Sequence, residues 1–185
     1  MTVKSIFAGF GGQGVLLMGY TLALTAMNEG KEVTYLPSYG AEVRGGTANC
    51  TVVVSDQPIA SPVASSPDII VVMNNPSLLR FANIVRPGGM VLINEDLVRD
   101  QIGRDDVKII KAPVNSIAHD LGEDRSANVV MLGAMAQATG VVGLDALKEA
   151  LAATGLGKKA KVLELNRRAL DAGADHVRRL AAKES

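Results

Sequence analysis

Two hydrophobic periods stand side by side in the first thirty residues. "VKSIFAG", Val3 to Gly9, is a nearly unbroken apolar run of the kind a buried strand shows. Gly14 to about Asn28 then carries Val15, Leu16, Met18, Leu22, Ala23, Ala26 and Met27, the apolar surface of a helix. Gly30 falls where a helix C-terminus stops. "KEVTYLP" predicts a second strand, followed by the glycine-rich loop "SYGAEVRGG". "TANCTVVVSD" alternates, placing Ala48, Cys50, Val52 and Val54 on one face and Thr47, Asn49, Thr51 and Val53 on the other, which is the period of a strand.

Further along, "SDQPIASPVASSP" reads as turn and loop, with three prolines. "DIIVVMN" is a continuous apolar strand of the type covered on both faces. "PSLLRFANIV" is a helix that starts near Pro76 and stops at "RPGG". "MVLIN" and "VKIIKAP" supply two more strands. From about Ser116 the pattern is helical. "SANVVMLGAMAQATG" is apolar nearly all round, so it is expected either at the centre of the domain or beneath another chain. The second option predicts a subunit contact over Ser126 to Thr139. "GLDALKEALAATG" has a clean stripe of Leu144, Leu147 and Leu151. The tail from Lys159 is amphipathic and basic, with an interruption expected at Gly173.

Strands alternate with helices over the first half, which predicts an α/β fold: a three-layer α/β/α sandwich around a mixed, mostly parallel, Rossmann-like sheet. The strand from Thr47 follows its predecessor after a loop too short for the ~12-residue parallel crossover, so it is expected to run antiparallel. With 185 residues, no repeat and no long linker, residues 1–185 read as a single domain.

Composition narrows the function. Nineteen basic and nineteen acidic residues give zero formal charge, which argues against nucleic acid as a partner. No apolar run reaches the ~18 residues of a membrane span, and "MTVKSIF" enters a strand without the features of a signal peptide. The expectation is a cytoplasmic protein with no membrane partner. One cysteine, Cys50, and two distant histidines, His119 and His176, are too few for an iron–sulfur cluster or structural zinc on this chain, each of which takes about four ligands. No metal site and no catalytic residue is expected here. Cys50 reads as a small core hydrophobe, His119 as part of a solvated helix start, and His176 as a surface residue.

The candidate chemistry lies in two glycine-rich loops. Gly9, Gly11 and Gly14 form G-x-G-x-x-G between strand and helix, with Gly12 and Gln13 inside it. That is the turn of a dinucleotide site, where helix N–H groups meet phosphate. The acidic residue expected ~20 positions on, at the end of the second strand, is missing. That strand ends in "LPSYG", and Glu42 comes later, beside Arg44. The second loop offers Tyr39, Glu42, Arg44, Gly45 and Gly46 at the same carboxyl edge of the sheet, with Arg44 suited to hold phosphate oxygens or a carboxylate.

"GFGGQGV", "PSYGAEVRGGTANCTVVVSDQPI", "SPDIIVVMN" and "NVVMLGAMAQATGVV", with Asn166, Ala169 and Gly173 in the tail, together resemble the gamma subunit of 2-oxoacid:ferredoxin oxidoreductases, the 2-oxoglutarate and branched-chain types above all. The resemblance covers nearly the whole chain. It implies alpha and beta partner subunits, with a ferredoxin-like delta subunit in some assemblies, and leaves open whether the isolated subunit forms a homodimer. It also implies a complex that uses thiamine diphosphate, Mg, iron–sulfur clusters and coenzyme A to turn a 2-oxoacid into acyl-CoA. None of the thiamine or cluster sites is expected on this chain. It carries no G-D-G followed by an N-N pair, the magnesium–diphosphate signature of thiamine enzymes. The two glycine loops would then face coenzyme A, another anion, or a neighbouring subunit. A self-contained NAD(P)-binding Rossmann-like protein and a non-redox binding module are the alternatives.

Overall fold

The computed structural model describes residues 1–39, 46–154 and 159–184, with the side chains of Tyr39 and Glu184 outside that description. Among the described residues the sheet has six strands: β1 (Thr2–Phe10), β2 (Glu32–Tyr39), β3 (Thr47–Ser55), β4 (Ile69–Val72), β5 (Met90–Asn94) and β6 (Lys108–Ala112). Their order is β2-β3-β1-β4-β5-β6. The pairs β1–β4, β4–β5 and β5–β6 are parallel, and β3 runs antiparallel to both β1 and β2. The sheet is mixed for the expected reason: the loop before β3 is too short to carry the chain back for parallel pairing.

Helices cover the sheet unequally. One face is packed by α1 (Val15–Asn28), α3 (Val114–Asp120), α4 (Ala127–Thr139), α5 (Leu144–Ala153) and α6 (Ala160–Glu184). Phe7, Cys50, Val52, Val71 and Leu92 point into that layer. The opposite face holds a smaller core of Ile6, Ala8, Ile70, Val72, Val91 and Ile93, packed by α2 (Asn75–Phe81) and the short 3-10 turn that follows it. The antiparallel register sorts β3 as its alternation demands, with Ala48, Cys50, Val52 and Val54 all buried towards α1.

Three expectations need correction. Helix α6 continues through Gly173 without a break. A Cβ at Gly173 would lie 1.9 Å from the carbonyl oxygen of Val130, and one at Gly133 would lie 2.1 Å from that of Leu170. These glycines let α4 and α6 cross backbone against backbone, and the contact outweighs the ~1 kcal/mol helix penalty of glycine. The subunit contact over 126–139 also fails. Met131 and Met135 are fully buried within the chain's own core, because α6 covers the face that the apolar pattern left unassigned. Finally, α3 begins at Val114, so His119 sits in its last turn, where Nδ1 is 2.9 Å from Asp124 Oδ1.

Candidate functional site

Strand β1 delivers the glycine turn to the carboxyl edge of the sheet. Gln13 closes the turn on itself: its backbone N–H donates to the Phe10 carbonyl at 3.1 Å, and its Oε1 accepts from the Phe10 N–H at 2.7 Å. Gly12 has φ +101° and Gly14 φ +73°, both in the left-handed region that side chains disfavour. Gly14 is also the N-cap of α1. It offers no side chain to cap the helix, and the first turn holds no acidic residue. The leading N–H groups of a 14-residue helix are thus left for another acceptor.

Gln13 also anchors a chain of amides across the strand ends. Its Nε2 donates to the Met73 carbonyl at 3.1 Å, and its Oε1 accepts from Asn74 Nδ2 at 3.0 Å. Asn74 Oδ1 caps α2 through the Ser77 N–H at 2.9 Å. Asn94 Nδ2 donates to the same Met73 carbonyl at 3.3 Å and to Asn115 Oδ1 at 2.8 Å. Asn74 follows β4 by two residues and Asn94 ends β5, both buried. Buried amides linked in this way fix the relative heights of β1, β4 and β5. Of this set the sequence reading reached only Gln13. The missed signal was an asparagine closing each of the apolar runs "DIIVVMN" and "MVLIN".

The two glycine loops do meet, at Gly11 and Gly46: the Gly11 N–H donates to the Gly46 carbonyl at 3.0 Å. Tyr39 ends β2 in register with Ala48. Gly40, Glu42, Arg44 and Gly45 lie outside the described residues.

Two clefts flank Gly12. One, about 260 Å³, runs along the start of α1 and is lined by Phe10, Gly14, Val15, Leu16 and Ala48. The other, about 150 Å³, is lined by Gln13, Asn115, Asp124, Arg125 and Asn128. A larger hollow of about 420 Å³ beside α3 is walled by Asp96, Asp120 and Asp124, and its charge is wrong for a phosphate ligand. Cys50 lies under α1, its thiol 3.5 Å from the Val15 carbonyl, and burial pushes its pKa up to about 12. It stays protonated and is no nucleophile. No group of three or more metal-binding side chains occurs among the described residues.

The strand order weakens the dinucleotide reading further. In that fold the second strand lies beside the first and holds the ribose. Here β3 separates β2 from β1, so the end of β2 stands two strand spacings away, roughly 10 Å. The strand–turn–helix unit is kept, and the ribose-holding position is displaced.

Residues 4–176 match the family described as Pyruvate ferredoxin/flavodoxin oxidoreductase. The chain belongs to that family. It is 43% identical over 179 residues to the ketoisovalerate oxidoreductase subunit VorA of Methanothermobacter marburgensis, covering 96% of this chain and 37% of the relative. It is 39% identical to the 2-oxoglutarate synthase subunit KorC of Methanothermobacter thermautotrophicus, covering 78% of this chain and 80% of that one. The chain thus spans little more than a third of the VorA relative and most of the KorC relative. Among solved structures, the gamma subunit of a keto/oxoacid ferredoxin oxidoreductase from Geobacter sulfurreducens has a TM-score of 0.80 at 29% identity, covering 95% of this chain and 98% of that one. A 2-oxoglutarate:ferredoxin oxidoreductase from Magnetococcus marinus has a TM-score of 0.87 at 25% identity, covering 96% of this chain and 31% of that one. The α/β fold with its mixed, mostly parallel sheet is that of these gamma subunits. No described helix is long and apolar enough to cross a membrane.

Proposed function

We propose that this family member acts as the gamma subunit of a complex that oxidatively decarboxylates a 2-oxoacid. The 2-oxoacid loses CO2, its acyl carbon is oxidised and joined to the coenzyme A thiol, and the electron pair passes to ferredoxin. Thiamine diphosphate with Mg would supply the carbanion chemistry, and iron–sulfur clusters the electron path, both on alpha, beta or delta partners. The single cysteine of this chain is buried and held protonated, so it does not suit the thiolate set of a cluster.

The role left to the chain is binding and positioning. The observation that carries this reading is the uncapped N-terminus of α1 behind a glycine turn braced by Gln13, joined to the second loop at Gly46. Such a terminus favours an anion. We place a phosphate of coenzyme A over Gly9, Gly11, Gly12, Gln13 and Gly14, with Tyr39, Glu42, Arg44, Gly45 and Gly46 as the closing loop. The solved relative from Magnetococcus marinus, with coenzyme A and succinyl-CoA bound, supports that choice of ligand.

Reconstitution tests it. Arg44→Ala should assemble normally and lower coenzyme A-dependent turnover about ten- to a hundredfold, the effect of one charge-assisted contact. Lys158→Ala should leave turnover unchanged. An Arg44→Ala complex with unaltered coenzyme A kinetics removes the loop from the site. A chain that purifies with stoichiometric iron of its own removes the division of labour.

A further inference from the structure

The first glycine of the turn serves the protein's own amide. A Cβ at Gly9 would stand 2.6 Å from Gln13 Oε1, so the bare glycine leaves room for the Gln13 side chain folded under the turn. Three neighbours fix how that amide lies. The Phe10 N–H requires an acceptor at 2.7 Å, the Met73 carbonyl a donor at 3.1 Å, and Asn74 Nδ2 an acceptor at 3.0 Å. All three agree on Oε1 towards Phe10 and Asn74. Turning the amide over would break every one of them.

Asn74 is held as firmly. It is 3% exposed, and its Oδ1 accepts from the Ser77 N–H at the start of α2, which leaves Nδ2 for Gln13. One residue on, Asn75 Oδ1 accepts from the N–H groups of Arg99 and Asp100 at 2.9 and 3.0 Å, so the start of α2 is pinned on a second side. The Asn74 side chain therefore has two separable ends. Its oxygen begins a helix, and its nitrogen reaches back to the turn.

We infer that Asn74 is a positioning residue for the glycine turn. Through Gln13 it keeps the backbone from Phe10 to Gly14 in the form that leaves the first N–H groups of α1 open, and it makes that form depend on the seating of α2. Capping alone asks only for an acceptor, which serine supplies as well as asparagine. The nitrogen is the part that capping does not use. Without it Gln13 Oε1 keeps one donor in place of two, and the side chain is freer to leave the space over Gly9. The consequence for catalysis rests on the anion site proposed above. The hold on the turn rests on the geometry of the two amides.

The test separates the two ends of the side chain. Asn74→Ser keeps an oxygen for Ser77 and loses the nitrogen. In the 185-residue chain, hydrogen exchange at the Phe10 amide, followed by NMR, should quicken about tenfold, the effect of one hydrogen bond, while the Ser77 amide exchanges as before. Gln13→Ala should quicken Phe10 at least as much. Adding Asn74→Ser to Gln13→Ala should change nothing further there, because both act through one contact. Asn74→Asp also keeps the cap, and its effect should depend on pH. The new carboxylate sets oxygen against Gln13 Oε1, whereas the protonated acid can donate, so the excess exchange at Phe10 should shrink as that group takes up its proton. In the reconstituted complex Asn74→Ser should raise the KM for coenzyme A about tenfold and leave kcat within about twofold. Unchanged Phe10 exchange in Asn74→Ser, or additive effects in the double variant, would overturn the inference. Failure of the anion site shows separately, as a turn loosened by Asn74→Ser in a complex whose coenzyme A kinetics are untouched.

Discussion

Helices α1 and α4 look alike as sequence and behave differently in the fold. "VLLMGYTLALTAMN" and "ANVVMLGAMAQAT" are both uncharged and apolar on more than one side. Helix α4 is buried from Ala127 to Ala136, sealed by α6. Helix α1 buries Val15, Met18, Leu22 and Ala26, while Tyr20 is 46% and Met27 59% exposed. Apolar composition shows that a helix wants cover and is silent on what provides it. For α4 the cover comes from within the chain, through two glycines that admit the backbone of α6. For α1 it comes from within on one face only.

The largest effect should come from closing the α4–α6 crossing. Gly173→Val places a side chain where the Val130 carbonyl already stands, so the two helices must separate. The chain should lose upwards of ~3 kcal/mol, enough to leave little folded protein. Met131→Asp should do the same by burying a carboxyl group. Denaturant unfolding measures both. A Met131→Asp chain that stays folded and loses only its partners would restore α4 as an interface and dissolve the contrast with α1.

The inner face of α1 gives a smaller, pH-dependent effect through Cys50. Burial raises the thiol from its ordinary 9.0 to about 12, so folding favours the protonated form. That contribution is complete below about pH 9 and is lost as pH rises towards 12. In this window the unfolded chain gives up its proton and the folded chain holds it. Stability should fall by at most ~1.4 kcal/mol per pH unit from this group. Cys50→Ala should flatten that part of the profile. The native thiol should also resist a disulfide-exchange reagent at pH 8 and react fully once the chain unfolds. Rapid labelling of native protein would mean that α1 lifts from the sheet.

Much of this was legible in the sequence. Alternation at Thr47 to Val54 and the short loop before it gave β3 and its direction, because strand period and loop reach are local properties. The glycine turn was legible for the same reason. Gly173 was misread because a glycine in a helix looks like a stop until the partner backbone is known. The amide chain from Gln13 to Asn115 was missed, since it joins residues about a hundred positions apart that only the sheet order brings together.

The outer face of α1 supplies the smallest effect, and its size decides whether that face is bare in the free chain. Met27 lies in the last turn of α1, on the same side as Tyr20, whose ring meets Tyr35 edge-on at 6.1 Å. Met27→Lys removes no buried contact and brings a cation to a helix C-terminus that has no basic residue. The change in stability should stay within ~0.5 kcal/mol, and for a chain of this length the midpoint of thermal unfolding should move by less than ~2 °C. A fall of ~5 °C or more that grows with protein concentration would show Met27 already covered by a second copy in solution. The exposed stripe of α1 would then be sealed as α4 is, with another chain in place of α6.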